Sequence, residues 1–352
     1  MKKLLKILLW IVLAVVVIVG LGVGALTALE YRPAPAEVAE TVADAARQTL
    51  QPGQSLSVLS WNIGYAGLGA ESDFFMDGGK SVRAADEATV RRYLAGIAET
   101  VAGSGASVVM LQEVDRDSTR TYRIDDVPVL LSALGGDVDG AYAKNFSVAF
   151  VPYPLPPIGK VESGLLTLTD FEVDSAARVS LPCPFSWPVR TVNLKRCMLV
   201  TRLPVEGTDK ELVLVNLHLE AYDSGEGKIA QTRQLVEFIE AEYEKGNYVI
   251  AGGDFNQVFP ASTNRYPIFT AELWSPGVFE MGVLPSDVRF VSDYDAPSCR
   301  LLNEPYDAET AQHYVIDGFI LSRNIHVEHV ETLDLGFENS DHNPVSLSVT
   351  LQ

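Results

Sequence analysis

The 352-residue chain has only three cysteines, Cys183, Cys197 and Cys299. An odd number leaves at least one unpaired within the chain, and a core of this size stands without covalent staples. Cys183 and Cys197 can still pair outside the cytoplasm, but Cys197 opens an apolar, strand-like run, so a buried free thiol is the preferred reading. There is also no internal repeat with a period of roughly 20 to 50 residues and no long low-complexity linker mid-chain, which argues for one large domain plus an appendage. Positive charge is scarce: 27 Lys plus Arg stand against 46 Asp plus Glu, a formal net charge of −19. Proteins that grip polyphosphate backbones carry a basic footprint, whereas this chain repels nucleic acid at long range. The bland alternative is that the acidity only keeps the domain soluble.

What the chain does have is one long apolar run. After Lys2, Lys3 and Lys6 it continues uncharged from Ile7 to Leu29, and as a helix that stretch reaches about 35 Å, enough to cross a hydrocarbon layer of about 30 Å. A cleavable signal peptide is the competing reading, but its apolar region is normally shorter. We therefore read residues 1–30 as an uncleaved transmembrane anchor. The lysines stay cytoplasmic and the remainder is extracytoplasmic, or secreted if the N-terminus is removed.

Pro33-Ala34-Pro35 breaks the helix, and the Ala/Glu-rich stretch Glu37 to Gln48 reads as a short stalk helix or tether, so 31–54 is expected as a linker. Ser55 to Ile63 reads as a buried strand, Arg83 to Val101 as an amphipathic helix, and Ser107 to Leu111 as a second strand, an alternation that means a layered α/β domain. Shorter strands follow over Phe146–Val151, 164–169, 177–181, 196–202 and 211–217, separated by proline-rich joints; 206–210 reads as a hairpin turn, so antiparallel pairs are expected. A helix from about Gly227 to Lys245, a strand Tyr248 to Ala251, an irregular excursion over 260–284 and strands over 313–322, 325–330 and after Pro344 complete the chain.

Five polar clusters sit at the ends of apolar runs: Trp61-Asn62, Gln112-Glu113, Asn216-Leu217-His218-Leu219, Gly253-Asp254-Phe255-Asn256 and Ser340-Asp341-His342. Asn216 and His218, two apart, share one strand face while Leu217 and Leu219 face the core. Gly252 and Gly253 let backbone approach a ligand, and Asp254 with Asn256 suits positioning a phosphate and its attacking water. Glu113 at a strand mouth is the kind of hard oxygen donor a magnesium ion takes. Asp317 lies inside an apolar strand and needs a partner, for which His342 is the candidate.

Ser60-Trp61-Asn62, Leu111-Gln112-Glu113, Asn216-Leu217-His218-Leu219, Gly253-Asp254-Phe255-Asn256, Ile316-Asp317 and Ser340-Asp341-His342, in this order, resemble the motif set of the endonuclease/exonuclease/phosphatase superfamily. The resemblance spans roughly residues 55 to 352. It implies a four-layer α/β/β/α sandwich of two mixed β-sheets flanked by helices, and metal-dependent hydrolysis of a phosphoester. Carried over position by position, Asn62, Glu113 and Asp341 would form or orient the shell of Mg2+, with Mn2+ as a substitute. His218, Asp254, Asn256, Asp317 and His342 would form the catalytic group, and Asn216, His218 and Asn256 would contact the substrate. Gly64 stands where abasic-site endonucleases usually carry an Asp, which points away from the DNA-repair branch.

The reading is then a membrane-anchored monomer with a catalytic domain over 55–352, hydrolysing a phosphodiester such as a phospholipid or another small substrate. A DNA or RNA nuclease of the deoxyribonuclease I-like type is the first alternative. A non-catalytic binding module with the same fold is the second.

Overall fold

The computed structural model describes residues 2–223, 225–270 and 272–352. Met1 of the expected anchor and Ala271 of the expected excursion lie outside the described residues, as does Ser224.

Alternate side chains of the central strands feed different apolar layers. In Val108–Asp115, Val108 and Met110 enter one layer while Val109 and Leu111 enter another; in Glu211–His218, Leu212 and Leu214 enter the first and Val213 and Val215 a third. Strands buried on both faces need a covering layer on each side. The result is two seven-stranded sheets packed face to face with helices outside, the sandwich expected from the sequence.

One sheet runs Ala36–Val38, Ser175–Ser180, Cys197–Pro204, Glu211–His218, Tyr248–Asp254, Asp317–Ser322, Val288–Val291. The other runs Ile325–Thr332, Val345–Leu351, Ser55–Asn62, Val108–Asp115, Gly159–Thr169, Asp139–Val151, Glu40–Asp44. Each contains a single parallel pair, Glu211–His218 with Tyr248–Asp254 and Ser55–Asn62 with Val108–Asp115. A parallel pair needs a crossover, and the helices Glu226–Glu244 and Glu87–Gly103 supply it on the two outer faces. Asp86 caps the second of these helices, its carboxylate accepting from Thr89 N at 2.8 Å, and Val90, Tyr93, Leu94, Ile97 and Val101 are buried as their spacing predicts. In Glu226–Glu244 the buried stripe is Leu235, Val236 and Ile239, whereas Ile229, expected on it, is exposed.

The expected stalk is a correction. Ala36–Val38 pairs with Ser175–Ser180 and Glu40–Asp44 pairs with Asp139–Val151, so the segment adds an edge strand to each sheet. The alanines that suggested a helix are small enough to fit between the sheets, where Ala39 packs with Ala141, Ala143, Leu165 and Leu199. An exposed sheet edge offers unpaired amides and carbonyls, and this pairing satisfies them. The strand expected over 313–322 is interrupted between His313–Tyr314 and Asp317–Ser322. All three cysteines are unpaired, with Cys197 buried and Cys183 exposed.

The helix Lys2–Ala28 buries none of its residues and is long and apolar enough to span a membrane, properties it shares with signal sequences.

Candidate active site

Ligand sites in α/β sheets form at the carboxyl ends of parallel strands, and here three of the four parallel strands deliver their last residues to one place. Asn62 ends Ser55–Asn62, His218 ends Glu211–His218 and Asp254 ends Tyr248–Asp254. Register puts Asp254 directly beside His218 on one side and Asp317 on the other. Glu113 enters through a break in register between Leu111 and Val114, and it adopts φ 55°, as Asn256 adopts φ 51°. Left-handed backbone at non-glycine residues is held by its surroundings and gathers at sites. Gly253, at φ 148°, has no alternative: a Cβ there would stand 1.9 Å from Leu217 O.

Asn62 Nδ2 donates to Asp254 Oδ2 at 3.0 Å and to Glu113 Oε1 at 3.3 Å, while its oxygen accepts from Gly64 N. In this arrangement Asn62 steadies two carboxylates. The other Asp254 oxygen accepts from Asn256 N at 2.8 Å, and Asn256 Nδ2 donates to Leu219 O. His342 Nδ1 pairs with Asp317 Oδ2 at 2.8 Å, and that oxygen also accepts from Ser298 Oγ at 2.7 Å. The other imidazole nitrogen, Nε2, lies 3.7 Å from Asp254 Oδ2 and 4.0 Å from Asp341 Oδ2. His218 Nε2 is 3.4 Å from Asp254 Oδ2, and its Nδ1 is buried with no hydrogen-bond partner among the described residues.

Burial and charge set the protonation of these groups. Burial pushes Asp254 up to about 7, against the pull of His342 and with Asp317 adding to the rise. His342 moves the other way: burial opposes its charge, but the Asp317 carboxylate holds it well above the ordinary imidazole range. His218, buried and facing the Arg196 charge, is held well below that range and is neutral. Asp341 is pushed up to about 6 by burial, His342 pulling it down and the like charge of Glu113 adding to the rise.

Two donor sets could hold a cation. Glu113 and Asp341 face the cleft, and among the described residues neither has a Lys or Arg ion partner; the only pairings are His218 Nδ1 at 4.0 Å and His342 Nε2 at 4.0 Å. Two carboxylates that raise each other's energy, with oxygen donors only, fit a hard divalent ion. Asp254, Asp317 and His342 also bring one ligand atom each within 4.8 Å of one another. In that set Asp317 Oδ2 and His342 Nδ1 already pair, and a metal taking either atom would displace a buried ion pair whose rupture costs about 3–5 kcal/mol, while Asp317 Oδ1 is buried with no hydrogen-bond partner among the described residues.

A model of the Endonuclease/Exonuclease/phosphatase family matches residues 59–342. The chain belongs to this family. Family members are divalent-metal-dependent phosphoester hydrolases, and the chain is an enzyme of that class. Among solved structures, it is similar to an endonuclease/exonuclease/phosphatase from Beutenbergia cavernae DSM 12333 at 19% identity and TM-score 0.57, over 85% of this chain and 72% of that one. A family protein from Leptotrichia buccalis C-1013-b matches at 15% identity and TM-score 0.54, over 84% and 99%. ANGEL2, a 2',3'-cyclic phosphatase, matches at 15% identity and TM-score 0.55, over 85% and 96%. At these identities the likeness is one of fold. No curated protein matches the chain.

Of the residues singled out from the sequence, Asn62, Glu113, His218, Asp254, Asn256, Asp341 and His342 line one cleft of about 600 Å³, with Asp317 behind His342. Asn216 is the correction. It shares the strand face of His218 but lies deeper, where its amide donates to Leu111 O at 3.1 Å and Leu166 O at 3.0 Å and its oxygen accepts from Gln112 Nε2 at 2.8 Å. It stitches the two sheets together and does not reach the cleft.

Several donors in the cleft escaped sequence reasoning. The Arg196 guanidinium is buried, 3.6 Å from Glu220, and among the described residues its Nε and Nη1 have no hydrogen-bond partner, nor do Asn145 Nδ2 and Ser163 Oγ. Arg120 also lines the cleft but is bonded twice to Asp115 and stacks 3.6 Å above the Tyr65 ring. Only the basic pair Lys195-Arg196 before an apolar run hinted at the first. The more exposed part of the lining includes apolar and aromatic side chains: Tyr153 is exposed and Phe75, Phe185 and Trp274 are half-buried.

Proposed function

We propose that the chain is a membrane-anchored, extracytoplasmic phosphodiesterase that uses magnesium, with manganese as a substitute, and acts on a phosphodiester carrying an apolar portion. The observation that carries this reading is a single cleft with two characters. Its floor gathers Glu113, Asp254, Asp341, His218 and the His342–Asp317 pair, and the more exposed part of its lining includes apolar and aromatic side chains. The chain's strong acidity disfavours a nucleic-acid duplex as substrate.

Glu113 and Asp341 would hold the cation, with Asn62 fixing the direction of the Glu113 carboxylate. When bound, the ion would offset the negative charge that develops on the phosphate oxygens. Asp254, held by Asn62 and Asn256 N, is placed to accept a proton from an attacking water, and a carboxylate titrating near neutrality is matched to that task. Protonated His342, oriented by Asp317, would donate from Nε2 to a phosphate oxygen, and neutral His218 would donate from the Nδ1 that has no partner among the described residues. Arg196, Asn145 and Ser163 add donors along the same wall. We assign residues 2–28 to the anchor and the chain from Ala36 onward to a monomeric catalytic domain that includes both edge strands.

The test is a panel of phosphodiesters, phosphomonoesters, phospholipids and nucleic acids, incubated with the full chain in detergent and magnesium. Hydrolysis of phosphodiesters that falls by about 10²–10⁴ in Asp254→Ala and in His342→Ala is the expected result. Wild-type turnover in either variant, or cleavage confined to monoesters or nucleic acids, overturns it.

A further inference from the structure

We propose that the mouth of the cleft docks on the same bilayer that holds the anchor, through an apolar rim made by Tyr153, Leu155, Trp187 and Val189. Isolated exposed hydrophobes need no explanation. These four are neither isolated nor marginal: Leu155 is 89% exposed, Tyr153 69%, Trp187 56% and Val189 50%. They lie on two loops joined beneath by Val192, which packs against Val148, Val151 and Val161. Tyr153 lines the cleft, and so does Phe185 on the second loop.

What places this rim at a membrane is its attachment to the anchor. Trp187 Nε1 donates to Thr27 Oγ1 at 3.0 Å, in the last turn of Lys2–Ala28. Glu30, just beyond, is clamped by Arg190 and Lys195, each at 3.3 Å, and by Arg32 at 3.0 Å. A helix of that length covers about 40 Å against a hydrocarbon layer of about 30 Å, so Thr27 stands at the membrane–water boundary. Trp and Tyr favour that boundary, where an apolar ring and a polar tip are both accommodated. A lipid in this leaflet then has a short path to the catalytic floor: its phosphodiester enters past Tyr153 and Phe185 while its chains stay in or near the bilayer. Because the chain is acidic, the docking is apolar in origin and suits a zwitterionic surface.

The inference rests on an uncleaved anchor and, for its catalytic consequence, on the lipid-borne phosphodiester proposed above. The full chain carrying Leu155→Cys in a Cys183→Ser background, so that the remaining cysteines are the buried Cys197 and Cys299, is labelled with a polarity-sensitive dye and placed in phosphatidylcholine nanodiscs. We expect a blue shift and quenching by dibrominated lipid tails. A dye that stays in an aqueous environment overturns the docking whatever the enzyme's activity. In parallel, Leu155→Glu/Val189→Glu should lower lipid turnover at least about tenfold, the factor that burying one aliphatic side chain is worth, and leave turnover of soluble bis(p-nitrophenyl) phosphate unchanged. Equal loss on both substrates also overturns it. A quenched dye with no lipid turnover by the wild-type chain would keep the docking and refute the substrate.

Discussion

Replacing Asn216 with alanine separates a structural role from a substrate-binding one. The side chain bonds between the sheets to Leu111 O, to Leu166 O and, at 3.5 Å, to Thr167 Oγ1, and accepts from Gln112 Nε2. Alanine takes a donor from two carbonyls in a region closed to water, while Gln112 Nε2 keeps its bond to Met110 O at 3.1 Å. Each such loss costs about 1–3 kcal/mol, so the sum over the two carbonyls is about 2–6 kcal/mol. A domain typically has only about 5–15 kcal/mol to lose, and the variant should fold but melt far earlier. Urea unfolding of the detergent-solubilised chain, followed by tryptophan fluorescence, should show a lower midpoint at unchanged slope. Turnover per folded molecule at low temperature should keep its KM. An unchanged midpoint with a raised KM would return Asn216 to the substrate and refute the placement.

Asp317→Asn keeps a hydrogen-bond acceptor for His342 Nδ1 and removes the charge that holds the imidazole protonated; kcat on a soluble phosphodiester should fall about 10²–10³-fold with little change in KM, and a loss under threefold would count against the role given to the pair. Asp77 supplies a pH test of stability. Burial raises its carboxyl to about 7, although Tyr222 donates to it at 3.0 Å. The folded protein therefore keeps a proton that the unfolded chain releases near pH 4, and stability falls as pH rises from about 4 to about 7. Asp77→Asn should be more stable than wild type at pH 8, by at most about 4 kcal/mol, and show no gain at pH 4; a lower melting temperature at pH 8 would contradict this.

Much of the site is legible in the sequence because polar residues that interrupt apolar runs have few places to go. Asn62, His218 and Asp254 end strands, and strands buried on both faces leave only their ends for polar chemistry. The same logic fails two residues inward. Asn216 and His218 point the same way, yet about 7 Å along a strand separates dry interior from open cleft, and periodicity carries no depth. The edge strands Ala36–Val38 and Glu40–Asp44 are hidden for another reason: they are defined by partners at Ala177–Val179 and Asp139–Tyr142, far along the chain, and short edge strands have little pattern of their own. Arg196 reads as an ordinary basic residue before a strand until its burial is known. The exposed apolar residues of the proline-rich joints gain meaning only from their nearness to the anchor.

The central claim is that Glu113 and Asp341 hold a divalent ion beside the Asp254 and His342 groups. Calorimetric titration of the full chain with magnesium tests it most directly, comparing wild type with Glu113→Gln and with Asp317→Asn. One bound ion in the wild type, an affinity about 100-fold weaker in Glu113→Gln and a far smaller loss in Asp317→Asn is the predicted result. Unchanged binding in Glu113→Gln, with loss in Asp317→Asn, would contradict it and move the ion to the Asp254, Asp317 and His342 group.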